Sequence, residues 1–157
     1  MFQLHPDLQK DTYTVGQFNL SLILLHKDAN YPWLILVPKR EKVLEIHHLM
    51  EDEQVQLIKE SSHLSEVMTS IYDPITMNIA ALGNLVPQLH VHHVARFKDD
   101  ITWPKPIWGA AEPKAYEPDV LQDRLDRLHS SLIGEGFKAY CGTGDNNEGG
   151  DQGFFTP

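Results

Sequence analysis

The spacing of the apolar residues changes character once, and for a long stretch. From Glu51 to Ile71 the apolar positions are Val55, Leu57, Ile58, Leu64, Val67, Met68 and Ile71. Spacings of three and four dominate, which predicts one amphipathic helix of about five to six turns. Glu51, Asp52 and Glu53 crowd its first turn, where the helix dipole favours negative charge, and Asp73-Pro74 ends it.

The flanking segments supply strands. Thr12–Gly16 and Phe18–His26 are separated by Gly16-Gln17, and the second contains Ile23-Leu24-Leu25, a run suited to burial on both faces. A polar turn, residues 27–32, leads to Trp33–Val37, closed by Pro38. Ile75–Ala80 and Leu89–Phe97 follow the helix, with a turn at Gly83-Asn84 between them. Pro118–Ile133 reads as a second helix, with proline at its start and Gly134 at its end. The order β-β-β-α-β-β-α predicts an α+β domain: an antiparallel sheet of about five strands, one long helix and a C-terminal helix. Residues 1–140 are expected to form a single domain, and the Gly/Asn/Asp-rich residues 141–157 a poorly packed tail.

Composition narrows the functional classes. A chain of 157 residues can bury a core without disulfides, and its one cysteine, Cys141, has no internal partner, so a reducing cytoplasm is the expected setting. The first residues show no basic segment followed by an apolar run, and the most apolar stretch, Leu20–Leu25, is too short to cross a bilayer. With 22 acidic and 13 basic side chains the formal charge is -9, which disfavours binding to a nucleic-acid polymer. A small anionic ligand would need a local pocket of histidines, backbone N–H groups and a few cations.

Such a pocket has a candidate in Gln88-Leu89-His90-Val91-His92-His93-Val94. On a strand, Gln88, His90 and His92 share one face, about 7 Å between successive members. Neutral imidazole is a nucleophile and imidazolium an acid, both accessible near neutral pH. Exposed polar residues would show the same spacing. So would a zinc pair completed by His47, His48 or Asp99, although no HExxH or CxxC accompanies it. His93 points to the other face and reads as a packed histidine.

The stretch Gln88–Arg96, preceded by Gly83-Asn84-Leu85-Val86-Pro87, resembles the signature of the histidine triad (HIT) superfamily, His-φ-His-φ-His-φ-φ with φ apolar. The register puts Gln88 at the first histidine, His90 at the second and His92 at the third. The resemblance extends back through Leu22–Lys39 and covers about residues 10 to 100. It implies that His90 attacks the α-phosphorus of a nucleotide to form a nucleotidyl-histidine, which water resolves. His92 would donate hydrogen bonds to the phosphate and assist the leaving group. Asn78 would contact the nucleotide, Asp28 would hold the ribose hydroxyls, and Asn84 stands where the family often has a phosphate-contacting Gln. Gln88 departs from the signature; it can donate and accept hydrogen bonds but cannot titrate.

The implied activity is hydrolysis of a dinucleotide polyphosphate or a nucleoside phosphoramidate. A nucleotidyl transferase of the same fold and a non-catalytic nucleotide-binding module are the alternatives. No cofactor is required, and no protein-bound metal, though a divalent ion could enter with a polyphosphate. The family is usually homodimeric, which an exposed apolar surface on the Trp/Pro-rich connection Ile101–Trp108 would suit. Trp33, Trp103 and Trp108 could stack on a base, but packing is the commoner role. Lys39, Arg40 and Arg96 read as solvated strand-end charges, His47-His48 as an exposed pair, and Cys141 as lacking a base that would activate it.

Overall fold

In the computed structural model, residues 1–141 and the backbone of residues 154–155 are described. The expected tail falls almost wholly outside these residues. The elements are α1 (Pro6–Asp11), β1 (Thr12–Gln17), β2 (Ser21–His26), β3 (Trp33–Pro38), α2 (Glu51–Tyr72), β4 (Thr76–Ala81), β5 (Val91–Arg96), α3 (Pro118–Ser131), β6 (Lys138–Tyr140) and β7 (Phe154–Phe155). The strands form one antiparallel sheet in the order β4-β5-β3-β2-β1-β6-β7. The fold is α+β, as the sequence predicts, with α1, β6 and β7 in addition. No helix among the described residues is long and apolar enough to cross a membrane.

The sheet has two covered faces. Val15, Ile23, Leu25, Leu34, Leu36, Val91 and Ala95 point towards α2 and α3 and pack with Leu57, Leu64, Met68, Leu128 and Leu132. The alternate residues, Leu22, Leu24, Trp33, Ile35, Val37 and Val94, form a second core with Leu8, Tyr31 and Ile107. This explains the continuous apolar runs of β2 and β3: alternation sends each residue to one of two buried sides. Phe2, Leu4, Val86 and Trp108 pack around the second core. The cleft opens on this side.

Several sequence expectations shift in the structure. Gly16 lies inside β1 rather than in a turn. A Cβ there would stand 2.4 Å from the Lys138 carbonyl oxygen, so the glycine admits the close approach of β6. On α2 the buried face includes Glu60 and Ser61, while Val55 and Ile58 are 52% and 60% exposed. The two polar residues are inside because each has a distant partner. Glu60 accepts from the Leu20 amide at 2.7 Å, and Ser61 bonds His93 at 2.8 Å. The connection 101–108 is mostly not an exposed apolar surface: Ile101 is exposed, but Ile107 is buried and Trp108 packs into the second core.

Arg96 is also no solvated charge. It is 1% exposed and held by two hydrogen bonds to Asp100, at 2.8 and 3.1 Å. Its guanidinium carbon lies 5.9 Å from the ring centre of Tyr31 and 5.5 Å from that of Trp103. Burial by itself would raise the Asp100 pKa, but the bonds from Arg96 and from the Phe97 and Thr102 amides bring it below its ordinary value. Lys39 is partly buried, donating to Gln17 and to the Phe18 carbonyl. Arg40 is exposed and paired with Glu53.

Candidate active site

β5 begins at Val91, two residues later than the alternation suggested. Gln88 and His90 therefore stand in the loop that feeds the strand, and His92 is the second residue of the strand. Pro87 lies within a tight turn closed by the Gln88 amide on the Val86 carbonyl at 2.9 Å. The turn puts the Gln88 carbonyl 2.6 Å from Nδ1 of His90. A carbonyl oxygen can only accept, so Nδ1 of His90 carries a proton, and in the neutral ring Nε2 keeps its lone pair.

His92 has the opposite polarity. Its Nδ1 lies 2.9 Å from Nε1 of Trp33. Indole N–H can only donate, so Nδ1 of His92 accepts and the single proton of the neutral ring resides on Nε2. The topology makes this pair: Trp33 is directly opposite Val94 on the neighbouring strand, which places it diagonally from His92 on the same face. The His90 and His92 rings are edge to face with centres 5.0 Å apart. Burial, together with His90, His26 and His93 nearby, lowers the His92 pKa to about 3. His92 is thus a neutral hydrogen-bond donor throughout the physiological range.

A third histidine supports this arrangement. His26, the last residue of β2, stacks on Trp33 with ring centres 3.7 Å apart and planes within 9° of parallel. Its Nδ1 accepts from the Asp28 amide at 3.0 Å. Burial lowers its pKa to about 4 against the opposing pull of Asp28 and Asp11. His93, on the other face, donates from Nδ1 to the Val91 carbonyl and meets Ser61 through Nε2, tying β5 to α2. Burial lowers its pKa to about 4.

His90, His92, His26 and Trp33 line a cleft of about 290 Å³. Leu82, Asn84, Leu85 and Val86 also line it, as do Asp7, Leu8, Asp11, Thr12 and Trp108. Of the described residues lining it, none is a Lys or Arg. Among the described residues, no group of three or more His, Cys, Asp or Glu side chains is arranged to hold a metal ion.

Residues 7–99 match the HIT domain family. The chain belongs to that family. Solved HIT structures agree. A histidine triad protein from Bradyrhizobium japonicum is 45% identical, with a TM-score of 0.83 over 84% of this chain and 98% of that one. One from Marinobacter aquaeolei VT8 is 42% identical, with a TM-score of 0.82 over 84% and 96% of the two chains. One from Sinorhizobium meliloti 1021 is 32% identical, with a TM-score of 0.81 over 84% and 98%. No curated protein matches the sequence.

Of the residues singled out in the HIT sequence pattern, His90, His92 and Asn84 come together in the cleft. Gln88, Asp28 and Asn78 are not among its lining residues. The Asp28 carboxylate accepts from the Asn30 and Lys114 amides at 3.0 and 3.1 Å, which ties the β2–β3 turn to the segment before α3. Asn78 accepts from Arg96 at 2.7 Å. The Gln88 side chain engages the N-terminal segment. His26, Asp7 and Asp11 were not anticipated in the cleft. The four-residue spacing of Asp7 and Asp11 behind Pro6 was the available signal, since a helix starting there puts both on one side.

Proposed function

We propose that the protein is a nucleotide hydrolase that cleaves a phosphorus–nitrogen or phosphorus–oxygen bond through a nucleotidyl-histidine on His90. One observation carries the reading: the two cleft histidines are fixed in complementary tautomers, His90 with a free Nε2 lone pair and His92 with an Nε2 proton. Nε2 of His90 attacks phosphorus, the N–P bond forms, and the bond to the leaving group breaks. As that bond forms, the ring gains positive charge, which the Gln88 carbonyl stabilises through Nδ1–H. His92 donates to a phosphate oxygen, and Asn84 supplies a further amide in the same cleft. The leaving group takes a proton from solvent water as it departs. In the second step water attacks the phosphorus, and the N–P bond breaks so that its electron pair returns to Nε2 of His90. This releases the nucleoside monophosphate, and the proton that the water sheds restores the balance.

Two imidazoles and water complete this cycle without a resident metal; a divalent ion would arrive only with a polyphosphate. The cleft favours the phosphoramidate over the dinucleotide polyphosphate. Asp7 and Asp11 face it, and among the described residues no Lys or Arg lines it, so a chain of phosphates would meet repulsion that an amine leaving group would not. The apolar side chains of Leu82, Leu85, Val86 and Trp108 suit a base.

The proposed setting is the cytoplasm, consistent with the free, exposed Cys141. The proposed assembly is a homodimer formed along β4. That strand is a sheet edge, and Ile79, on its α2-facing side, is 51% exposed.

The test is release of AMP from adenosine phosphoramidate and from diadenosine tetraphosphate, with trapping of a labelled protein adduct. His90→Ala should abolish turnover and adduct while circular dichroism stays native. Turnover that persists in His90→Ala, or tight AMP binding by a wild type that forms no product, would reject the hydrolytic reading.

A further inference from the structure

The side chain of Gln88 makes two hydrogen bonds to one short piece of backbone. Its Nε2 donates to the Gln3 carbonyl at 2.9 Å, and its Oε1 accepts from the His5 amide at 2.9 Å. In an extended segment the carbonyl of one residue and the amide two residues on point the same way. A side-chain amide, with donor and acceptor side by side, matches that pair as a neighbouring strand would. The two nitrogens of an imidazole diverge around the ring and cannot do both.

The clamped segment leads directly into the cleft. His5 caps α1, accepting from the Asp7 amide at 3.2 Å, and Asp7, Leu8 and Asp11 line the cleft together with His90, Asn84 and Val86. Phe2, Leu4 and Leu8 pack this segment onto the apolar face of the sheet, which leaves its position along that face to directional bonds.

We infer that Gln88 is a positioning residue whose side chain fixes residues 3–5 against the nucleophile loop, so that α1 forms a set wall of the substrate cleft. Its carbonyl and its side chain then do different work. The carbonyl orients His90, and any residue type supplies one. The amide sets the distance between His90 and the acidic wall, and only Gln at this position supplies it. Residues 1–11 thereby select the group next to the scissile phosphorus. This rests on the nucleotide reading of the cleft, but the clamp can be measured without it.

The test is a double-mutant cycle between Gln88→Ala and His5→Pro. His5 has φ -57°, already suited to proline, so His5→Pro removes the amide that Gln88 holds while keeping the φ of that residue. His5→Ala keeps that amide and is the control. Two measurements are made: amide exchange over residues 2–11, and KM and kcat for adenosine phosphoramidate. Gln88→Ala and His5→Pro should each speed exchange across the segment about tenfold or more. Each should raise KM by a larger factor than it lowers kcat, and the double variant should be no worse than either single one. His5→Ala should not reproduce this. Unchanged exchange in Gln88→Ala overturns the inference. So does a Gln88→Ala loss confined to kcat and fully additive with His5→Pro, because Gln88 would then act on the reacting groups themselves. A wild type that neither binds nor cleaves a nucleotide refutes the proposed activity, and exchange still decides the clamp.

Discussion

Replacing Trp33 with phenylalanine isolates the device that sets the polarity of the site. Trp33 is 7% exposed and its Nε1–H is the partner of His92 Nδ1 at 2.9 Å. Phenylalanine keeps an aromatic ring against His26 and deletes the donor. The orphaned acceptor costs about 1–3 kcal/mol, and the space left by the indole adds about 1 kcal/mol. Together these lower Tm by roughly 5–15 °C. The functional effect comes from the tautomer. With Trp33 present, a proton on His92 Nδ1 would face another N–H and forfeit the bond, so the Nε2–H form is preferred by about 5- to 150-fold. Without Trp33 that bias disappears. Burial and the neighbouring histidines, which hold the His92 pKa near 3, remain, so the ring stays neutral while its tautomers mix. Population alone then costs about twofold in kcat/KM, and outright loss of an aimed donor sets the upper bound at about 10²-fold. Nitrogen NMR of the imidazole side chains at pH 7 reads the tautomer directly, and steady-state kinetics read the rate. If His92 in Trp33→Phe remains wholly Nε2–H with unchanged kcat/KM, the hydrogen bond does not control the site. A wild-type His92 protonated on Nδ1 would refute the reasoning at its first step.

Two further perturbations follow from buried charge. His26, His92 and His93 all have folded pKa values lowered to about 3–4, so the unfolded chain binds up to three more protons between those values and about 6.5. Stability is complete above pH 6.5 and falls as the pH drops towards 4, by roughly 4 kcal/mol per unit near pH 5, measured as the urea midpoint against pH; a midpoint flat from pH 7 to 4.5 contradicts the assignment. Asp100→Asn leaves the Arg96 cation buried without its counter-charge and should cost about 3–5 kcal/mol in urea unfolding, whereas Arg96→Met with Asp100→Leu should recover much of that loss; a single variant costing under about 1 kcal/mol would mean that water reaches the guanidinium.

What could be read from the sequence was whatever the chain encodes locally. The period change marked α2 to within a residue of its observed ends, and Asp73, which adopts the left-handed conformation at φ 48°, stops it just before Pro74. The His90/His92 alternation carried enough information to place two histidines in one cleft. Misjudged features depend on partners far along the chain. Gly16 has the composition of a turn, but its reason is β6, more than a hundred residues later. Glu60 and Ser61 interrupt the apolar stripe of α2, and their partners, the Leu20 amide and His93, lie far along the chain. Arg96 reads as surface until Asp100, Asn78 and two aromatic rings close over it. α1 has six residues and β6 three, too short for a periodic signal.

The same distinction separates the two cleft histidines. The polarity of His90 is a local property: a carbonyl two residues earlier orients it, and the Pro87 turn presents that carbonyl. The polarity of His92 is a tertiary property, created only when β3 pairs with β5 in the register that sets Trp33 diagonally across from it. A slip of one residue between these strands would send Trp33 to the α2 side of the sheet and leave His92 free to take either tautomer. The site is therefore assembled by the sheet register, and that register is specified by the alternating apolar residues of β3, whose two sets belong to different cores. Packing therefore determines, by fixing where Trp33 stands, which nitrogen of His92 bears the proton.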